Sequence, residues 1–186
     1  MKKIIKKQDR ILKEFELNKI DYLIYGGIVV GRVFDDIDIL VHKNDMGKVK
    51  KLMENLGYVR IEMAKYEWKF NKGDGVDVEI RWDLDGLERF NLWEEKEKFT
   101  FNPTFHLIYL LVHTAEHIRR KQFKTSYLED IPYFISRNKI NWNRVEKCEI
   151  RDVNEILALA KQLLNLNVPF EVEHNYLKKE VFPNGE

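Results

Sequence analysis

Asp36-Ile37-Asp38-Ile39-Leu40-Val41 is the segment that most restricts how this chain can fold. Side chains alternate faces along a strand, so Ile37, Ile39 and Val41 turn to a core while Asp36 and Asp38 project together from the other side. Two carboxylates held side by side repel each other unless a cation offsets them. A strand end presenting such a pair, just after Tyr25-Gly26-Gly27, therefore reads as a clamp for a divalent metal.

The periodicity on either side of this segment assigns the fold class. Ile4, Ile5, Gln8, Ile11, Leu12 and Phe15 recur at helical spacing and predict an N-terminal helix with these residues as its buried stripe. Lys2, Lys3, Lys6, Lys7, Arg10 and Lys13 fall mostly off the stripe, on a face that is either solvated or available to phosphates. Asp21 to Tyr25 reads as a short strand ended by the glycine pair. After the Asp36 strand, Asn44 or Asp45 is placed to cap a helix that buries Val49, Leu52, Met53 and Leu56 and stops at Gly57. Extended segments around Tyr58 to Ala64 and Tyr66 to Phe70 follow. The turn Lys72-Gly73-Asp74-Gly75 then leads into a strand from Val76 to Trp82.

From Pro103 the period becomes 3.6. Leu107, Leu110, Leu111, Thr114 and Ile118 mark one helix, with others over Tyr127 to Ile135, Trp142 to Cys148 and Val153 to Leu166. The charged stretch Asp83 to Thr100 reads as the connector. The expectation is an α+β fold: a core over residues 1–100 with a mixed β-sheet and flanking helices, then a helical C-terminal subdomain over 101–186.

Composition removes several function classes. Lysine plus arginine number 32 against 31 acidic residues, so a net charge of +1 gives no general field toward nucleic acid. A nucleic-acid partner is open but not favoured. The single cysteine, Cys148, excludes an internal disulfide and suits a reducing cytosol. The longest apolar run, near Phe105 to Val112, is too short for a bilayer, and the basic N-terminus lacks a signal peptide's apolar stretch. A cytoplasmic location is expected. Gly26, Gly27 and Gly31 do not form the G-x-G-x-x-G fingerprint of a dinucleotide site.

In Val76-Asp77-Val78-Glu79-Ile80-Arg81, the residues Asp77, Glu79 and Arg81 share one face. If this strand lies beside the Asp36 strand, Asp77 brings a third carboxylate to the pair. Three carboxylates suffice for two magnesium ions, since magnesium keeps waters and substrate phosphates among its ligands. Backbone at Gly26 and Gly27 can approach a triphosphate closely.

A glycine pair, an arginine, Asp-Ile-Asp and a later strand carrying Asp resemble the nucleotidyltransferase superfamily of the polymerase-beta type. Within it the chain is most similar to the uncharacterised bacterial and archaeal nucleotidyltransferase-like family. The likeness rests on Asp36 to Val41, Leu56-Gly57-Tyr58 and Val76-Asp77-Val78-Glu79 near Trp82. It extends more loosely to His113, His117, Asp130, Trp142 and the helix before Pro169. The resemblance implies Asp36, Asp38 and Asp77 as catalytic metal ligands for two Mg2+, with Asp77 assisting deprotonation of an acceptor hydroxyl. It implies Gly26 and Gly27 at the nucleotide phosphates and Arg32 near the incoming NTP. The acceptor stays open among small molecule, protein and RNA. Glu79 stands where the nearest family has histidine, Asp35 adds an acid beside the pair, and the spacer from Gly27 to Asp36 is short. A fold that has lost turnover and serves as a binding or regulatory module is the alternative.

Some residues keep two readings. Arg81 either grips a phosphate, as a nucleotide ligand, or neutralises Glu79 or Asp77. His113 and His117 stand one helical turn apart, able to hold zinc or to join Asp130 in a hydrogen-bonded cluster facing the site. Arg119, Arg120 and Lys121 sit where a helix C-terminus favours cations. Trp68, Trp82, Trp93 and Trp142 are scattered and read mainly as core or seam residues.

Overall fold

The period-two segments form strands and the period-3.6 segments form helices. In this computed structural model residues 2–26, 36–84, 86–122 and 124–170 are described. The chain divides into two units, Met1–Phe101 and Asn102–Glu186.

The first unit opens with α1 (Lys2–Leu17), followed by β1 (Tyr22–Tyr25) and β2 (Asp36–Val41). A 3-10 turn at Lys43–Asp45 leads into α2 (Met46–Asn55). Then come β3 (Val59–Met63), β4 (Glu67–Asn71), β5 (Asp77–Arg81), β6 (Lys96–Glu97) and β7 (Thr100–Phe101). All seven strands join one mixed sheet in the order β3-β4-β5-β2-β1-β7-β6. β1 and β2 run antiparallel, whereas β2 and β5 run parallel, because α2 and the β3–β4 hairpin intervene and return the chain in the same direction.

One face of this sheet is the core. Ile37, Ile39 and Val41 of β2 and Val78 and Ile80 of β5 pack with Ile11 and Phe15 of α1 and Val49, Leu52 and Met53 of α2. Burial alternates along β5 as the sequence pattern requires. The opposite face carries the charged residues of β2, β4 and β5.

Four details depart from the expected pattern. In the stripe of α1, Gln8, Ile11 and Phe15 are buried, whereas Ile5 is 43% exposed. Lys7 is not a solvated or phosphate-ready lysine, since its ammonium donates to Asp74 Oδ1 at 2.9 Å and to the Val76 carbonyl at 2.7 Å. It fastens α1 to the turn before β5, with its side chain only 8% exposed. Asp45 stands at the N-cap of α2 without making a cap hydrogen bond, because its carboxylate accepts from Lys48 at 2.7 Å instead. The connector contains β6 and β7, and β7 extends the sheet by pairing parallel to β1 at Ile24 and Thr100. Two-residue strands present too few alternations for periodicity to reveal them.

The second unit holds α3 (Pro103–Arg119), α4 (Thr125–Ile135), α5 (Trp142–Glu146) and α6 (Arg151–Leu164). Asn102 caps α3 by accepting from the Phe105 amide at 3.0 Å, with Pro103 in the first turn where no amide donor is needed. Its residues Leu107, Leu111, Ala115 and Ile118 are buried, as are Ile156, Leu157 and Ala160 of α6. Arg119 pairs with Asp152 of α6 at 2.8 Å and Arg120 with Glu116, so both cations have carboxylate partners besides the helix end. Among the described residues no helix is long and apolar enough to cross a membrane.

Candidate active site

The parallel pairing of β2 and β5 sets the register of the acidic residues. Asp36 lies opposite Asp77, Asp38 opposite Glu79 and Leu40 opposite Arg81. Directly opposed residues share a face, so four carboxylates stand in two rungs on the polar side of the sheet. β4 runs antiparallel beside β5 and places Lys69 opposite Glu79 and Glu67 opposite Arg81. Five carboxyl groups and two cations thus crowd three adjacent strands.

Two distinct clusters form within this patch. Asp36 and Asp38 are the electronegative one. Burial pushes the Asp38 carboxyl well above the usual carboxylate range, and the charges of Asp36 and Glu79 push it further, against an opposing pull from Arg81. A carboxyl in this position gains most from a nearby cation, which would offset both the like charges and the lost hydration.

Gly26 closes over this pair. β1 and β2 are paired through Tyr25 and Asp38, and Gly26 follows at φ +78°, in the left-handed region that favours glycine. An ideal Cβ there would fall on Asp38 Oδ2, 2.9 Å from Cγ and 3.2 Å from Cβ. Glycine is therefore required twice, for its backbone angle and for the close approach to the carboxylate. Gly27 and Arg32, expected at the nucleotide, lie outside the described residues, as do Gly31 and Asp35.

Asp77 is held from β4. Asn71 Nδ2 donates to Asp77 Oδ1, and the ammonium of Lys69 lies 3.5 Å from Asp77 Oδ2 and 2.9 Å from Glu79 Oε1. Burial works against the Lys69 charge, but the hydrogen bond and charge of Glu79, together with Asp77, hold it well above the ordinary lysine range. Arg81 bridges Glu67 and Glu79, the latter at 3.5 Å. Burial raises the Glu67 carboxyl above its ordinary range, and the charge of Arg81 opposes that rise. Of the two readings of Arg81, neutralisation is the one these contacts describe.

Among the described residues no three histidine, cysteine, aspartate or glutamate side chains converge as a ready metal cage. The strand register sets Asp36 opposite Asp77 and Asp38 two residues along on the same face, while Asn71 and Lys69 engage the oxygens of Asp77. The donor set itself fits magnesium, being hard carboxylate oxygen throughout, with a side-chain-free backbone at Gly26 beside it. Lys69 and Asn71 were not singled out from sequence. Their signal was the alternation Glu67, Lys69, Asn71 across a tight hairpin from Asp77, Glu79 and Arg81, which sets unlike charges opposite one another.

In the helical unit, His113 and His117 meet through their Nε2 atoms at 3.1 Å, one donating and the other accepting. Tyr127 of α4 stacks on His117 with ring centroids 4.5 Å apart, and Tyr109 stacks on His113 at 5.4 Å. Asp130 is half-buried one turn beyond Tyr127 on α4. This is an imidazole–aromatic cluster. His106, unremarked in the sequence, is fully buried, stacked on Phe134 at 5.0 Å, and its imidazole is pushed down to about 3 by burial. Trp68 and Trp82 meet each other edge to face and lie against the first unit's core, and Trp93 stacks on His42 at 3.7 Å.

The fold resembles that of solved nucleotidyltransferases. The solution structure of the antibiotic-resistance factor ANT(2'')-Ia superposes with a TM-score of 0.58 at 16% identity, covering 88% of this chain and 94% of that one. The crystal structure of ANT(2'')-Ia with adenylyl-2''-tobramycin gives 0.56 at 16% identity, covering 86% and 98%. The lincosamide antibiotic adenylyltransferase LnuA, bound to lincomycin, gives 0.53 at 18% identity, covering 70% and 96%. No curated protein matches the chain in sequence. The model of the family described as uncharacterised nucleotidyltransferase matches residues 3–167, nearly the whole described chain, and the protein belongs to that family.

Proposed function

We propose that this protein transfers a nucleoside monophosphate from Mg-NTP to a hydroxyl group of an acceptor, releasing pyrophosphate. The observation that supports this best is the register of β2 against β5, which sets Asp36 opposite Asp77 on the face that also carries Asp38 beneath Gly26. Asp36 and Asp38 would hold magnesium, with Asp77 as third ligand. The ions when bound supply charge neutralisation for the triphosphate and the leaving pyrophosphate.

The residues of the chain do the remaining work. The acceptor oxygen forms a bond to the α-phosphorus as the bond from that phosphorus to the bridging oxygen breaks. Pyrophosphate leaves with the electron pair, and the hydroxyl proton passes to Asp77. Asn71 and Lys69 orient that carboxylate. Gly26 lets the backbone approach the phosphates, and Gly27 and Arg32 are assigned to them on the family resemblance. Catalysis of this kind is largely positioning and electrostatic stabilisation. ANT(2'')-Ia is an antibiotic-resistance factor and LnuA a lincosamide antibiotic adenylyltransferase, and a small hydroxyl-bearing acceptor suits a chain of net charge +1 better than a polyanion does. Protein and RNA acceptors are the other candidates.

One observation favours a second reading. Glu79, standing in place of histidine, is engaged by both Lys69 and Arg81, as expected of a module that has exchanged metal chemistry for internal ion pairs. Calorimetric titration with each Mg-NTP, on wild type and on Asp36→Ala/Asp38→Ala, separates the two. Magnesium-dependent binding that vanishes in the double variant supports the enzyme; no binding of any NTP supports the module. Incubation with α-labelled NTPs and a cell extract then identifies the acceptor by the label it gains.

A further inference from the structure

We infer that Lys69 is an internal counter-cation that weakens the site's hold on free divalent metal by occupying the third carboxylate. The inference deepens the functional reading above and rests on it.

Three observations carry it. The ammonium lies between Asp77 and Glu79, at 3.5 and 2.9 Å, on the face that carries Asp36 and Asp38. Its stem comes from β4, a strand paired along β5, so its reach to these carboxylates is fixed by register rather than by a loop. The side chain is 22% exposed, which leaves it a path to solvent and to an arriving ligand. Glu79 has a defined part in this arrangement. It binds Lys69 more closely than Asp77 does, and Arg81 steadies it from the other side, so Glu79 is an anchor rather than a metal ligand.

The electrostatic consequence is selective. A bare dication approaching Asp36 and Asp38 meets a repelling ammonium and a third carboxylate already neutralised. A nucleotide–metal complex carries its own negative phosphates, which attract the ammonium that the bare ion repels. Lys69 thus disfavours free metal relative to metal delivered with a triphosphate. A unit charge about 6 Å from a dication, even in a medium as polar as water, changes affinity about tenfold.

The test is binding of Mn2+ alone to the full chain, followed by the loss of its free-ion electron paramagnetic resonance signal. Wild type is compared with Lys69→Met, Lys69→Gln, Lys69→Arg and Asp36→Asn/Asp38→Asn, each checked for native circular dichroism. The expected result is Mn2+ binding about tenfold tighter in Lys69→Met and Lys69→Gln, unchanged in Lys69→Arg and lost in the aspartate pair. Damage to the fold would weaken binding, so a gain of affinity is specific to removal of a competing charge. Affinity equal to or weaker than wild type in both neutral variants, while the aspartate pair abolishes binding, overturns the role of Lys69 and leaves the functional reading standing. Mn2+ binding that survives loss of both aspartates overturns the functional reading, and this inference with it.

Discussion

Replacing Gly26 by alanine tests the packing on which the acidic site depends. Gly26 sits at φ +78°, where an L-residue with a Cβ loses roughly 1–2 kcal/mol. The new methyl would also fall on Asp38 Oδ2, 2.9 Å from Cγ and 3.2 Å from Cβ. The carboxylate can rotate away at about 0.5–1.5 kcal/mol, but Asp38 Cβ is fixed by pairing between β1 and β2, so part of the overlap persists. The total is about 2–3 kcal/mol, which for a chain of this size lowers Tm by about 5–10 °C. Thermal melting by circular dichroism, with urea unfolding to give the free energy, measures it. A double-mutant cycle isolates the cause. In an Asp38→Ala background the clash with the carboxylate is gone and only the backbone strain and the Cβ contact persist. Gly26→Ala should then cost about 1 kcal/mol less. Equal cost in both backgrounds, or a Tm within about 1 °C of wild type for Gly26→Ala alone, would refute the close approach.

Two further outcomes follow from buried titratable groups. His106, pushed down to about 3 by burial, is neutral in the folded state, whereas in the unfolded chain it charges near its ordinary value. The depressed value means its contribution is present above about pH 6.5 and is lost as pH falls toward 3, by about 1.4 kcal/mol per pH unit in that window. His106→Phe, which retains the stack on Phe134, should flatten the acid limb of the stability–pH profile; an unchanged limb contradicts the burial argument. Asp38 has the opposite sign. Its carboxyl is raised by burial and by Asp36 and Glu79, so its stabilising contribution is full below the ordinary carboxylate range and is lost as pH rises through the elevated value. Asp38→Asn should therefore raise Tm at neutral pH while abolishing metal binding, and a fall in Tm would show that Asp38 is not under electrostatic strain.

Those two histidine and aspartate effects mark the boundary of what the sequence makes legible. The strands of residues 36–41 and 77–81 and the helices Pro103–Arg119 and Arg151–Leu164 follow from period, because each spans enough residues to repeat its pattern, and the strand of residues 22–25 follows from an apolar run ended by glycines. β6 and β7 escape the same reasoning, having two residues each. The juxtaposition of Asp36 with Asp77 was conditional in the sequence, since nothing local specifies which strand neighbours which. Register decides it. Lys7 and Lys69 escaped for a related reason. A lysine in a charged segment reads as solvated until tertiary structure supplies a buried carbonyl or a pair of carboxylates within reach. His106 looks like any residue on an apolar helix, and its burial depends on how α3 and α4 pack.

The central claim is that Asp36 and Asp38 share a divalent cation with Asp77 as its third ligand. Anomalous diffraction from crystals grown with Mn2+ and a non-hydrolysable NTP analogue tests it most directly. The account predicts a manganese peak about 2–2.3 Å from oxygens of both Asp36 and Asp38, with the triphosphate beside Gly26 and Lys69 drawn off Asp77. Nucleotide bound with no ion touching Asp36 or Asp38, or an ion held elsewhere in the chain, would contradict it.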